Sequence, residues 1–225
     1  AAVMAEAQGM LTGRPGGCFV TRGPGAAYAA IGMHTARQDS TPMVLFIGHV
    51  ARGDRDREAF QEVDYRAMFG PLAKWVAEID DARRIAEYIS RAWHLAMSGR
   101  PGPVVLVLPE DMLTDRVTAP RLPRVEPLAA APAPADMAEL QKRLAAAQRP
   151  LVILGGSGWT EAACRDMERF AERHDLPVAA SFRRQDLFDN DHPNYAGDVG
   201  LGINPALAAR LAASDLLLVV GARLS

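Results

Sequence analysis

Apolar residues along this chain gather in short dense blocks, separated by segments whose apolar positions recur three and four residues apart. Gly17 to Thr21, Met43 to Ile47, Ala73 to Ile79 and Val104 to Leu108 are the blocks of the first half. Leu151 to Leu154, Val178 to Ala180 and Leu216 to Val220 continue the pattern in the second. Short apolar blocks bounded by glycine, proline or polar residues predict strands buried on both faces. The intervening segments predict helices. Ala1 to Met10 puts Val3, Met4, Ala7 and Met10 on one stripe, and Ala26 to Gln38 follows a Gly-Pro-Gly sequence. Ile85, Tyr88, Ile89, Ala92, Trp93, Ala96 and Met97 form the clearest amphipathic face, with Asp80 and Asp81 where an N-cap belongs. Met137 to Ala147, Glu161 to His174 and Pro205 to Ala213 complete the set. Strands that alternate with helices predict an α/β fold with parallel sheets covered on both faces.

Between Thr118 and Pro134 the pattern lapses into five prolines and several alanines, the composition of an extended linker. The expected organisation is therefore two doubly wound parallel-sheet domains joined by a Pro/Ala-rich linker. Residues 1–117 form the first domain, 118–135 the linker and 136–225 the second. A length of 225 residues gives each domain room for its own core. Both ends read as interior to a longer polypeptide, because helical periodicity starts at Ala1 without a cap and the chain stops just after a strand.

Charge removes several function classes. A net charge of -2 predicts no general attraction to nucleic acid or to anionic membrane. No apolar run reaches the length of a bilayer span, and no basic segment leads an apolar block at the start, so a cytoplasmic location is expected. Cys18 and Cys164 are too few for a disulfide framework and read as reduced, buried, small apolar residues.

The chemistry begins at Cys18-Phe19-Val20-Thr21-Arg22-Gly23-Pro24-Gly25, a strand that ends in glycines and opens a helix. That arrangement brings main chain close to a ligand in α/β proteins. Without Cβ atoms, Gly23 and Gly25 leave room for a flat ring and for unusual dihedrals, and Pro24 stiffens the turn. Gly155-Gly156-Ser157-Gly158 offers a second strand-to-helix turn, suited to a phosphate but without the G-x-G-x-x-G spacing. Arg183 and Arg184 follow the next strand and could grip phosphate, with Phe182 covering a flat ring; a surface loop with an ion pair fits them equally. Gly197-Asp198-Val199-Gly200 is set aside as a metal-diphosphate motif, because no apolar strand precedes it. The five histidines lack metal-ligand spacing, and no metal ligand is assigned. His49 alone follows a strand on the edge that carries the Gly-Pro-Gly turn. Periodicity by itself makes Phe60 a core residue and Glu62 a surface one.

In order along the chain stand Val20-Thr21-Arg22-Gly23-Pro24-Gly25, Ser40-Thr41-Pro42-Met43-Val44, Gly48-His49-Val50, Ala59-Phe60-Gln61-Glu62 and Ser98-Gly99-Arg100-Pro101-Gly102-Pro103-Val104. This series resembles the pyrimidine-binding domain of thiamine-diphosphate-dependent enzymes, in particular the acetolactate synthase branch. Arg149-Pro150-Leu151-Val152 with the glycines after it, and Ser214 to Gly221, are similar to that family's central domain. The resemblance implies thiamine diphosphate with Mg2+, a 2-oxo acid substrate that loses carbon dioxide, and a homodimer or homotetramer whose sites are shared between subunits. It also implies that a glutamate activating the aminopyrimidine ends the strand ahead of Ala1. The magnesium ligands belong to a diphosphate domain beyond this chain. The chain as it stands is therefore expected to be inactive.

Residue by residue, Gly23, Pro24 and Gly25 match the turn beside the pyrimidine, and Phe60 and Gln61 match the loop that approaches substrate. His49 stands where many relatives carry glutamine, which puts a titratable group where proton handling or acceptor choice is decided. In the acetolactate synthases the central domain also holds FAD, while other relatives use it for ADP or leave it empty. Gly155, Gly156, Arg183 and Arg184 are the matching positions for such a nucleotide. FAD is disfavoured because Ala222-Arg223-Leu224-Ser225 departs from the flavin-binding pattern. Two other readings stand beside the first: a nucleotide-binding module without catalysis, and an interaction protein whose sheets serve dimerisation.

Overall fold

The computed structural model describes residues 1–118, 120–123, 126 and 130–224. It divides into two compact units, Ala1–Ala129 and Ala130–Ser225. The stretch expected as a linker lies partly outside the described residues, and its last residues, from Pro134, already belong to a helix.

The first unit runs α1 (Ala2–Thr12), β1 (Gly16–Val20), α2 (Gly23–Asp39), β2 (Met43–His49), α3 (Tyr65–Phe69), β3 (Trp75–Glu78), α4 (Ile85–Met97) and β4 (Pro103–Pro109). Its four strands form one parallel sheet in the order β1-β2-β4-β3. The continuous apolar blocks are β2 and β4, the two central strands, whose apolar side chains are buried on both faces. Leu45 and Ile47 of β2 pack under α1, α2 and α3, while Val44 and Phe46 face α4. Ile47 pairs with Val107 and Glu78 with Val107, so strand register carries His49 and Glu78 onto the α3 side of the sheet.

Two expectations need correction here. The large apolar stripe of α1 points outward: Met4 is 76% exposed, and the buried residues are Ala2, Ala5, Glu6 and Gly9. Small residues face inward because α1 and α2 pack closely. A Cβ on Gly32 would stand 2.7 Å from the Ala2 Cβ, and one on Gly9 would meet Pro42 and Thr41. The second correction concerns α2, which begins at Gly23 rather than Ala26, so the Gly-Pro-Gly sequence is its first turn, with Pro24 within the first two helical positions. Gly23 and Gly25 are not among the glycines with positive φ. The amphipathic helix is as expected, with Asp81 capping a short 3-10 turn, Ala82–Arg84, that leads into α4.

The second unit runs α5 (Pro134–Ala146), β5 (Pro150–Leu154), α6 (Glu161–His174), β6 (Val178–Ala180), β7 (Tyr195–Asp198), α7 (Pro205–Ala213) and β8 (Leu216–Val220). Its sheet is again parallel, in the order β7-β6-β5-β8. Val152 and Leu154 pack toward α6, and Leu151 toward α7. The Asp215 carboxylate accepts from the backbone N–H groups of Gln148 and Arg149 at 2.7 and 2.8 Å, which pins the start of β8 beside β5. β7 has no counterpart in the sequence reading. Its register shifts between Val178 and Ala179, Gly197 has φ 112°, and neither face carries an apolar run. Gly197-Asp198 ends this strand, which is not the apolar strand whose absence set that motif aside. Asp198 Oδ1 accepts from Gly200 N–H at 2.8 Å and closes the turn locally.

Candidate functional site

In the first unit, the carboxyl ends of β1 and β2 lead into the segments that the sequence singled out. A ligand-binding rim forms there in open α/β sheets, because the loops diverge and leave a crevice. Arg22 precedes α2 and pairs with Glu110, which follows β4, while Glu110 N–H donates to the His49 carbonyl at 3.1 Å. Arg52 binds Asp111 through its backbone N–H at 2.9 Å and through Nε at 2.7 Å, and reaches the Asp80 carbonyl at 2.7 Å. The loop leaving β2 is therefore clamped at its base to the loops leaving β4 and β3.

Beyond the clamp the loop folds back on itself. Asp56, Glu58 and Gln61 have φ of 61°, 54° and 63°, left-handed values that non-glycine residues seldom take. The Glu62 carboxylate holds this shape, Oε1 accepting from Asp56 N–H at 2.8 Å and Oε2 from Ala59 N–H at 3.0 Å. Those backbone donors hold the Glu62 carboxyl below its ordinary pKa. Expected as a surface residue, Glu62 is the internal cap of the loop. Phe60, expected in the core, is 77% exposed at the loop's tip. Periodicity failed for both because the segment has neither helical nor strand geometry.

The loop then meets the glycine turn. Gly23 N–H donates to the Gln61 carbonyl at 3.1 Å, and a Cβ at Gly23 would lie 3.1 Å from both that oxygen and Val63 Cγ2. The chain's own loop therefore covers Gly23, which is buried, and leaves Pro24 exposed and Gly25 half-exposed. That corrects the expectation of bare main chain at all three positions. Gly23, Pro24, Gly25, Phe60 and Gln61 are nonetheless gathered at one rim.

His49 ends β2 and is 6% exposed. Its Nε2 lies 3.8 Å from Glu78 Oε1, and its ring meets Tyr65 edge-on at 4.9 Å between centroids. Burial, reinforced by the Arg55 charge, holds the imidazole below its ordinary pKa and keeps it neutral near pH 7. Burial pushes the Glu78 carboxyl up, against the opposing pull of Arg55, and pushes Tyr65 up to about 12. Tyr65, Glu78 and helix α3 were passed over in the sequence. One signal was available: Asp64 ahead of Tyr65 and Phe69 is an N-cap before an i, i+4 apolar pair, and its carboxylate accepts from Arg66 and Ala67 N–H at 2.9 and 3.0 Å.

The second unit answers differently. A Cβ on Gly155 would collide with Ser181 and Ala222, and one on Gly156, at φ 74°, with the Gly221 carbonyl. These glycines let the ends of β5, β6 and β8 approach one another. The following helix is capped by Thr160, which accepts from Ala163 N–H at 3.1 Å, and carries Glu161 in its first turn. A capped helix start beside a carboxylate opposes a phosphate there. Arg184 holds Asp186 through two bonds of 3.0 and 3.1 Å, and Arg183, at φ 63°, lies 5.2 Å over the Phe182 ring. Gly155, Gly156, Arg183 and Arg184 thus sit around one sheet edge, with the glycines filled by packing and Arg184 committed to a carboxylate. Among the described residues, no three His, Cys, Asp or Glu side chains stand close enough to hold a metal ion, and no helix is long and apolar enough to cross a membrane.

Residues 1–68 match the family model described as thiamine pyrophosphate enzyme, N-terminal TPP binding domain, and residues 137–225 match thiamine pyrophosphate enzyme, central domain. The chain belongs to the thiamine pyrophosphate enzymes. Among curated relatives, the acetolactate synthase of Bacillus subtilis (strain 168) is 31% identical over 98% of this chain and 39% of its own length. The acetolactate synthase large subunit of Parasynechococcus marenigrum (strain WH8102) is 36% identical over 97% of this chain and 36% of its own length. A protein of Methanococcus aeolicus described as a probable acetolactate synthase large subunit is 31% identical over 100% of this chain and 39% of its own length. The chain therefore spans well under half the length of these relatives. For a thiamine pyrophosphate enzyme, the N-terminal match contains the glycine turn, His49 and the Phe60–Gln61 loop, and the central match contains the second glycine turn. A free-standing nucleotide-binding module finds no support in these matches or in the filled glycine turn of the second unit.

Proposed function

We propose that this chain is the pyrimidine-binding and central part of a thiamine-diphosphate-dependent enzyme that decarboxylates a 2-oxo acid and transfers the remainder to an acceptor, as its similarity to acetolactate synthases suggests. The observation that carries the reading is the bond from Gly23 N–H to the Gln61 carbonyl, which joins the glycine turn to the loop with Phe60 at its tip. The residues fit the pyrimidine end of the cofactor. Pro24 and Gly25 leave an open main-chain face, Phe60 is an exposed ring beside it, and His49 Nδ1 is a buried polar atom without a partner among the described residues. Among those residues, no three His, Cys, Asp or Glu side chains stand close enough to hold Mg2+. When bound, thiamine diphosphate supplies the electron sink for decarboxylation.

Around it, this chain's residues orient and exclude water. Pro24 and Gly25 would hold the pyrimidine ring through their open main chain. Phe60 would help exclude water from the reacting carbon, and Gln61 would offer an amide to the substrate carboxylate or carbonyl. His49, kept neutral by burial, can pass a proton where a glutamine cannot. The homodimer or homotetramer is part of this reading. Val3, Met4 and Leu11 of α1 with Tyr28 and Ile31 of α2 are exposed apolar residues of the kind that subunit contacts cover.

The deciding experiment adds thiamine diphosphate and Mg2+ to the full-length enzyme of which this chain is proposed to be part, and follows carbon dioxide release from a panel of 2-oxo acids. Release that falls at least tenfold in Gln61→Ala, with cofactor affinity held, supports the reading. Binding of thiamine diphosphate that is indifferent to Gly25→Val ends it.

A further inference from the structure

Phe60 and Gln61 are the central pair of the turn Ala59-Phe60-Gln61-Glu62, which is closed by a hydrogen bond of 2.9 Å from Glu62 N–H to the Ala59 carbonyl. Of the pair, only Gln61 has a positive φ, at 63°. A positive φ at the third position of such a turn marks type II, where glycine is the usual occupant. Glutamine is disfavoured there, and a left-handed residue other than glycine persists only where its surroundings hold it. A glycine at 61 would give the same turn without that strain. The strained glutamine therefore points to a use for the Gln61 side chain at this place.

Much of the holding falls to Glu62. It closes the turn with its own N–H, and its carboxylate reaches back to the residues ahead of the pair. Oε2 accepts from Ala59 N–H at 3.0 Å and Oε1 from Asp56 N–H at 2.8 Å. Ala59, directly before Phe60, is thus gripped by Glu62 at both its N–H and its carbonyl. Bonds to an ionised carboxylate are the stronger class, and these same donors favour the ionised form. On the far side of the pair, the Gln61 carbonyl is taken by Gly23 N–H at 3.1 Å. The main chain is therefore fixed on either side of Phe60 and Gln61, and Glu62 supplies one of the two fixings.

We propose that Glu62 is a positioning residue for turnover. By clamping Ala59 it keeps Gln61 left-handed, so that the Gln61 amide and the Phe60 ring are in place before substrate arrives. The inference rests on the decarboxylase reading. It adds to that reading a side chain that acts only through its neighbours, since the Glu62 carboxylate is engaged with backbone N–H groups of its own loop.

The test is a mutant cycle in the full-length enzyme of which this chain is proposed to be part. Glu62→Ala should lower kcat/KM for the 2-oxo acid about tenfold or more, with thiamine diphosphate affinity held. Glu62→Gln, which keeps one acceptor oxygen, should recover part of that loss. In a background carrying Phe60→Ala and Gln61→Ala, Glu62→Ala should lower kcat/KM by no more than about twofold further, because the groups it positions are already gone. The second readout needs no turnover. Without cofactor, Gly23 N–H, whose acceptor is the Gln61 carbonyl, should exchange its hydrogen about tenfold faster in Glu62→Ala. If the melting temperature of Glu62→Ala falls steeply, Glu62→Gln carries both measurements, with smaller effects in the same directions. A loss that repeats in full in the Phe60→Ala, Gln61→Ala background would overturn the inference and leave the decarboxylase reading standing. So would Gly23 exchange, or kcat/KM, that stays at the parent's value in the Glu62 variants. A parent enzyme that releases no carbon dioxide from any 2-oxo acid would overturn both.

Discussion

Gly23 and Gln61 lie 38 positions apart in the chain and share one backbone hydrogen bond of 3.1 Å, from the glycine N–H to the glutamine carbonyl. The bond fastens the start of α2 to a loop that is itself left-handed at Gln61. A Cβ at Gly23 would press on that carbonyl and on Val63, both at 3.1 Å. Gly23→Ala should cost about 1 kcal/mol and Gly23→Val about 2–3 kcal/mol, read as lowered melting temperature. The same variants should speed amide exchange at residues 59–62. A Gly23→Val protein that melts with the parent would show that the loop moves aside freely.

Glu62→Ala removes the acceptor for two backbone N–H groups and should release the loop without unfolding the unit. Trypsin should then cut after Arg55 and Arg57 several-fold faster, with the global melting temperature little changed. Glu62→Gln, which keeps one acceptor oxygen, should fall between. Protonation acts in the same direction. The folded pKa of this carboxyl is depressed below 4.5, so its hold on the loop is whole above that value and is lost as pH falls through the folded pKa. Cleavage rates of the parent measured from pH 6 downward with an acid-tolerant protease check the sign.

His49 should make the first unit sensitive to mild acid. Its folded pKa is lowered from 6.5, chiefly by burial and then by Arg55, with Arg22 adding and Glu62 and Asp80 opposing. The unfolded chain therefore takes up the proton first. Stability is whole above 6.5, erodes as pH falls through that value and levels off below the folded pKa. Glu78, whose pKa is raised from 4.5, works in the opposite sense: the stability it contributes is whole below 4.5 and is lost as pH rises from that value through the folded pKa. The neighbouring Tyr65 stays neutral throughout this range. Melting curves from pH 7.5 to 5 should show a steeper acid loss for the parent than for His49→Gln. Parallel curves would mean that the imidazole is not buried in solution.

In the second unit, Gly156→Ala should cost about 2 kcal/mol, since it adds a side chain at φ 74° and drives it into the Gly221 carbonyl. FAD and ADP should leave the melting temperature of the parent where it was. A rise with either nucleotide would return the Gly155–Gly156 turn to a phosphate site.

Subunit contacts can be probed at α2. Tyr28, 85% exposed, should break up any oligomer when replaced by aspartate, with a smaller species on light scattering and an unchanged circular dichroism spectrum. An oligomer untouched by both Tyr28→Asp and Ile31→Asp would place the contact elsewhere.

Strand and helix order were legible because dense apolar blocks and a 3.6-residue period write burial directly into the sequence. The blocks at Met43 to Ile47 and Val104 to Leu108 read as strands buried on both faces, and the sheet order then puts them at the centre. Gly23, Pro24, Gly25, Phe60 and Gln61 were picked out by local composition and by motif, and they do meet at one rim. Period alone could not say that α1 turns its small residues inward, because that depends on how near α2 comes. It could not find β7, where a bulge and Gly197 break the alternation. The roles of Glu62, Tyr65 and Glu78 were equally hidden. A carboxylate that caps a loop, or a glutamate facing a histidine across Val107 of an intervening strand, is defined by distances between residues far apart in sequence. Local order along the chain fixed which elements form; only chain crossings in space decided which polar atoms found partners, and which buried side-chain atoms of His49, Arg55, Tyr65 and Glu78, among the described residues, did not.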